Sequence, residues 1–219
     1  MTINKEVISA VRDPGASRPR VRDRIFATAR DLFYRHGIRA VGVDTIACEA
    51  GTNKMSFYRS FPSKDELVAE YLRDQEREGW KWWDGIVAAH PGEPRRQLEA
   101  LFDAQVQSTC ADGSRGCALA NAAIEIAEEE HPGRAVVMHY KNEMRRRFRE
   151  LAAAMGAARA DELGDALMLL WEGSYLTCLT FACSGGPAQN AGQAARVLIA
   201  AYTAPAPAAT PTRKTRRSR

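Results

Sequence analysis

Between Ile46 and Val68 the chain reads IACEAGTNKMSFYRSFPSKDELV, and this run holds side chains that can meet a polyanion and read a base edge. Lys54, Met55, Ser56, Tyr58 and Arg59 crowd one short segment. An arginine can pair bidentately with guanine, and methionine or serine can touch base edges or a thymine methyl. Tyr58 and Lys64 can bond phosphate oxygens, which fixes register rather than sequence. Such groups need a rigid mount. Ala50-Gly51 offers a turn, because glycine takes positive φ without a Cβ penalty. Asn53 can cap a helix over Lys54 to Ser60. Ser63-Lys64-Asp65-Glu66 forms a capping box that opens another helix, whose amide end also favours an anion. Two short helices about a glycine turn, the second bearing these side chains, form a helix-turn-helix pattern.

The set Ile46-Ala47, Ala50-Gly51, Tyr58, Phe61, Lys64 and Leu67 resembles the DNA-binding domain of the tetracycline-repressor (TetR) family over residues 20–70. The remainder matches that family only in layout. Two departures stand out: Gly42-Val43-Asp44 where the family often opens its second helix with Thr or Ser, and Thr52-Asn53 where the turn usually continues Val-Ser. Gly42 is the weaker cap, which leaves open the phosphate contact usually made from there. The resemblance implies an all-α protein, a three-helix DNA-binding head with the helix-turn-helix on a larger antiparallel helical body. It implies DNA contacts from Thr45, Thr52, Asn53, Lys54, Met55, Ser56, Tyr58, Arg59 and Lys64. The implied partners are double-stranded operator DNA of palindromic sequence, a small-molecule effector, and a second copy in a homodimer. The implied role is a ligand-released transcriptional regulator, most often a repressor, and not an enzyme.

Charge is unevenly spread. The net +4 combines +6 over residues 18–64, +5 over 213–219 and −7 over 65–212. A basic head on an acidic body suits contact with nucleic acid at one end. No apolar run reaches the roughly 18 residues of a membrane helix, and the start lacks the apolar stretch of a signal peptide, so the expected location is cytoplasmic with no membrane partner. The five cysteines are scattered without C-x-x-C, which fits reduced thiols.

Along the chain the expected divisions are an arm over 1–17, the DNA-binding domain over 18–78, an effector-binding and dimerisation domain over 79–203, and a Pro/Ala linker with a basic tail, expected to be disordered, over 204–219. Helix one follows a stripe of Ile25, Ala29, Leu32, Phe33 and His36 from about Val21 to His36. Short helices follow over about 43–50 and 54–60, then longer ones over about 63–90, 95–110, 117–129, 134–155, 159–183 and 189–202. Phe57, Phe61 and Ile46 form the expected core of the head. Arg145-Arg146-Arg147 and Arg149 form a basic patch.

Two readings stand beside each other at several further positions. Arg18, Arg20, Arg22 and Arg24 are either an arm that meets DNA or a charged helix entry. The basic tail either adds sequence-independent DNA affinity or keeps the chain soluble. Trp83, Phe102, Met138, Met168, Trp171, Glu172 and Tyr175 either line an effector pocket or pack a core. Trp171, Glu172 and Tyr175 are the preferred lining, because they bring polar atoms into an apolar helix and such atoms need partners. That lining, with Trp80 and Trp83, suggests an aromatic or acyl effector. Cys117, next to Arg115 at a helix start, is either a redox or electrophile sensor or a small buried hydrophobe. Leu163, Ala166, Leu167, Leu170, Ser174 and Cys178 on one helix, with Ala194, Val197, Leu198 and Ala201 on the last, recur at helical spacing, and the resemblance implies that these helices pair with their symmetry mates. The histidines lack ligand spacing, no catalytic motif occurs, and neither a metal nor a cofactor is expected.

Overall fold

The computed structural model describes residues 19–111, 113–181 and 185–203. The N-terminal arm with Arg18, the residue Cys183, and the linker and basic tail lie outside the described residues. Among those described the structure is all-α, with nine helices: α1 (Val21–His36), α2 (Val43–Glu49), α3 (Lys54–Ser60), α4 (Lys64–Ala88), α5 (Pro94–Thr109), α6 (Ala118–Glu125), α7 (Pro132–Ala154), α8 (Ala160–Thr180) and α9 (Ala191–Thr203). A 3-10 turn, Pro187–Asn190, leads into the last.

The first three helices close around Ile25, Ala29, Phe33, Ile46 and Phe57, all buried. His36, expected on this stripe, is exposed in the last turn of α1, where a polar ring suits the negative end of the helix dipole. Phe61 joins the core, its ring centroid 5.9 Å from that of Phe57. α4 starts where Ser63 Oγ accepts from the Glu66 amide at 3.1 Å. Its first half buries Leu67, Val68, Tyr71 and Leu72 against these helices, and its second half carries Trp83 into the remaining ones. The core is therefore one connected cluster from Ile25 to Ile199.

Two helix boundaries differ from expectation for identifiable reasons. α6 stops at Glu125, not Glu129, because Ile126 turns inward and is buried in an extended conformation. α7 begins at Pro132, not Arg134. Proline suits the first helical position because its missing N–H has no role there, and His131 Nδ1 caps the turn by accepting from the Gly133 amide at 2.9 Å.

The arginine run on α7 is not a free basic patch. Arg145 and Arg149 both engage Asp165 of α8 through paired bonds of 2.6 to 2.8 Å. Arg146 binds Glu143 and Glu150, and Arg147 binds Glu143 and Asp84. α7 and α8 approach closely at Gly164, where a Cβ would stand 2.7 Å from the Arg149 amide nitrogen. The α8 stripe read as a dimer face is also split. Leu163, Leu167 and Ser174 are buried inside the chain. Leu169, Gly173, Leu176 and Thr180 of α8, and Val197 and Ala201 of α9, are instead exposed.

The arginines hold Asp165 well below the usual carboxylate range, and hydrogen bonds from Arg146 hold Glu143 down at about 2. A carboxylate with a depressed folded-state pKa stabilises fully above its unfolded value and loses that contribution as pH falls through the folded one. Asp165→Asn should therefore cost about 1 kcal/mol near neutrality, as partly exposed pairs do. The difference from wild type in urea unfolding should shrink toward zero in strong acid. A difference unchanged with pH would mean that Asp165 acts through packing.

Candidate nucleic-acid interface and internal cavity

The α2–α3 turn is built from backbone first. The Thr52 amide donates to Ala47 O at 2.9 Å and the Gly51 amide to Cys48 O at 3.0 Å, with Gly51 at φ 62°. This is the Schellman arrangement, which satisfies carbonyls at a helix end and needs a residue at positive φ. Asn53 then caps α3, its side chain accepting from the Ser56 amide at 2.9 Å. Arg24 reaches in from α1 and donates to Ala50 O and Gly51 O at 3.3 and 3.5 Å.

With Phe57 buried, α3 turns its other side outward. Met55 is 73% and Tyr58 50% exposed, and Asn53, Lys54 and Arg59 are exposed with them. Thr45 of α2 is exposed, while Thr52 and Ser56 are half-buried. Lys54 Nζ forms an ion pair with Asp44 at 3.1 Å, which links the starts of α2 and α3. Most of the expected contact residues thus share one open surface. Lys64 departs from it: its ammonium donates to Ile38 O at 2.7 Å, and burial lowers its pKa. That lysine ties α4 to the chain after α1. Arg22 and Arg24 depart too. Arg22 pairs with Glu70 and lies over the Phe61 ring, 4.6 Å from its centroid, so both are engaged within the chain itself.

A cavity of about 110 Å³ lies among the remaining helices and against α1, and its walls include Trp82, Trp83, Tyr140, Trp171 and Tyr175. Of the expected pocket residues, Trp83, Trp171 and Tyr175 lie on it. Phe102 is fully buried behind Trp171, with centroids 5.3 Å apart. Met168 is packed against the core. Met138 is 54% exposed on the outer side of α7. Glu172 is held by Lys141, whose ammonium donates to both carboxylate oxygens at 2.7 Å. Trp80 stacks on Tyr140 and beneath Arg147.

Cys117 also borders the cavity, but Arg115 does not serve it, because its guanidinium donates to Arg35 O. The cation beside the thiol is Lys141, with Nζ 3.8 Å from Sγ. Burial lowers the Lys141 pKa, and Cys117 and Glu172 together outweigh that and hold it raised.

Three links from this region to the N-terminal helices were missed by pattern reading. Arg30 of α1 borders the cavity and pairs with Asp74 at 3.2 Å. The Tyr34 hydroxyl accepts from the Arg115 amide at 2.9 Å and donates to Gly116 O at 3.4 Å. Glu125, at the end of α6, accepts from the Arg39 amide at 2.9 Å. Helical periodicity carries no signal for long-range bonds of this kind.

Residues 25–71 match the family described as bacterial regulatory proteins, tetR family. The transcriptional repressor SCO4008 of Streptomyces coelicolor is 43% identical over 63 residues, 29% of this chain and 31% of that protein. The regulator EthR of Mycolicibacterium smegmatis is 30% identical over 95 residues, 40% of this chain and 44% of that protein. The chain thus spans less than half the length of these curated relatives. The crystal structure of SCO4454, a TetR-family transcriptional regulator of Streptomyces coelicolor, superposes with a TM-score of 0.79 at 26% identity, covering 84% of this chain and 96% of that one.

Trp171 is 2% exposed and meets the rings of Trp82, Trp83, Phe102, Phe148 and Tyr175. Trp171→Ala should cost about 3–5 kcal/mol of stability, as large-to-small core changes do, read from denaturant midpoints. A cost below about 1 kcal/mol would show a side chain that packs only against the cavity.

Proposed function

We infer that this chain, a transcriptional regulator of the tetR family, binds a palindromic operator through the α3 face as a homodimer and is released by a small molecule held in the aromatic cavity. The carrying observation is the α2–α3 turn, locked by backbone bonds and by Arg24, which offers Lys54, Met55, Tyr58 and Arg59 together to a partner. In this reading residues 18–78 act as the DNA-binding unit and 79–203 as the effector and dimer unit. The repressor role follows the named relative SCO4008. Lys64 is left out of the contact set because its ammonium is engaged with Ile38 O.

The proposed coupling runs through both ends of α6. Its entry, Gly116 to Leu119, borders the cavity, and the Gly116 carbonyl accepts from Tyr34 of α1. Its exit, Glu125, holds the chain after α1. A ligand that prefers a displaced α6 would move the α3 faces out of register with adjacent major grooves, a coupling free energy between two sites.

Two outcomes test this reading. Arg59→Ala should cost about 1–3 kcal/mol on the cognate duplex and far less on unrelated DNA, whereas Tyr58→Phe should weaken both alike, as a phosphate contact does. Titrations of labelled duplex at several salt concentrations distinguish them, and equal losses for Arg59→Ala would reassign it to phosphate. The exposed face of Leu169, Gly173 and Leu176 on α8, with Val197 on α9, should pair with its twofold copy. Sedimentation at micromolar protein should give a dimer, and Leu176→Glu should give monomers. A wild-type monomer would sink the homodimer.

A further inference from the structure

Asp44 of α2 and Lys54 of α3 stand together on the open surface of these helices, with the lysine Nζ 3.1 Å from Asp44 Oδ2. Both side chains are exposed, and neither makes another hydrogen bond or ion pair among the described residues. An exposed pair of this kind adds little stability, so folding does not account for a carboxylate on this surface. Contact with the DNA backbone does not account for it either. A carboxylate beside a phosphate is repelled, and like charges across an interface are costly. Paired with Asp44, Lys54 brings no net charge and displaces few counterions.

What the pair presents is one acceptor and one donor side by side, and the major-groove edge of a G·C pair is its complement. The cytosine N4 amino group donates, and guanine O6 and N7 accept. N4 and O6 lie about 2.9–3.0 Å apart because they are hydrogen-bonded to each other. One carboxylate oxygen can accept from N4 while the other keeps Lys54. The ammonium has three N–H donors, so it can keep Asp44 and still donate to O6 or N7. An A·T pair also sets a donor, adenine N6, beside an acceptor, thymine O4. There the adenine N7 acceptor flanks N6 and opposes the carboxylate, and the thymine methyl flanks O4 where the ammonium would sit. The order of groups therefore selects G·C. Arg59 lies more than a turn further along α3, so it meets a different base pair.

We propose that Asp44 and Lys54 together read one G·C pair of each half-site, Asp44 accepting from cytosine N4 and Lys54 donating to guanine. The proposal rests on the reading of the α3 face as a DNA-binding surface, and it extends base reading to α2.

The test uses the full chain and the inverted repeat that it enriches from a random duplex library, with an unrelated duplex as reference. At one G·C pair per half-site, other than any lost in Arg59→Ala, replacement by A·T should weaken wild-type binding at least about tenfold. Asp44→Ala, at an unchanged melting temperature, should abolish the preference at that position. It should also bind the unrelated duplex more tightly, with a salt slope steeper by about one unit, because Lys54 is released to phosphate. Lys54→Ala should lose the preference at the same position. N4-methylcytosine placed there should weaken the wild type and leave Asp44→Ala unaffected. A preference kept by Asp44→Ala, a loss spread over all positions, or weaker binding of the unrelated duplex by Asp44→Ala would each overturn the proposal. A wild type that enriches a repeat which Asp44→Ala reads unchanged loses only this role of Asp44. A wild type that binds no duplex loses the DNA-binding reading as well.

Discussion

The direction in which α3 points is set by one turn of backbone that a side chain from a third helix holds in place. Gly51 supplies the positive φ, Ala47 and Cys48 supply the carbonyls, and Arg24 ties Ala50 and Gly51 back to α1. With Phe57 driven into the core on one side, Tyr58 and Arg59 have no place but the other. A helix seven residues long has little intrinsic stability in water. Its rigidity is therefore a property of its anchors, and the proposed reading of base edges by bidentate geometry depends on such rigidity.

The same N-terminal helices are gripped from behind by groups that border the cavity. Tyr34 is bonded on both sides by the 115–116 backbone, and Glu125 holds the chain beyond Gly37. α4 runs through both regions as one uninterrupted helix. One connected core joins the two ends, which is the route along which the proposed coupling would carry a displaced cavity wall to α1. Close-packed interiors transmit such shifts rather than absorb them.

What was legible in the sequence follows the range of the interactions involved. The bounds of α1 and α3, the Asn53 and Ser63 caps and the turn at Gly51 are local, each set by residues within a few positions. Periodicity found Ile25, Ala29, Leu32 and Phe33 for the same reason. The bond from Lys64 to Ile38 O spans 26 residues and so leaves no trace in local pattern, and the arginine run on α7 reads as basic because its partner Asp165 sits on the next helix. For α8, the small and large apolar residues recur on more than one face, so spacing alone chose Leu163 and Leu167, which the chain buries, over Leu169 and Leu176, which it leaves open. Trp171 borders a cavity, but its neighbours Phe102, Phe148 and Trp82 come from three other helices, and only the fold shows how deeply they enclose it.

The central claim is that two copies of the α3 face read DNA together at a spacing fixed by the fold. Selection of binding sequences by the full chain from a random duplex library measures this directly. The account predicts enrichment of an inverted repeat whose half-sites lie about 34–36 Å apart along the duplex, or a multiple of that. Enrichment of a single unrepeated site, or of no sequence at all, would contradict it.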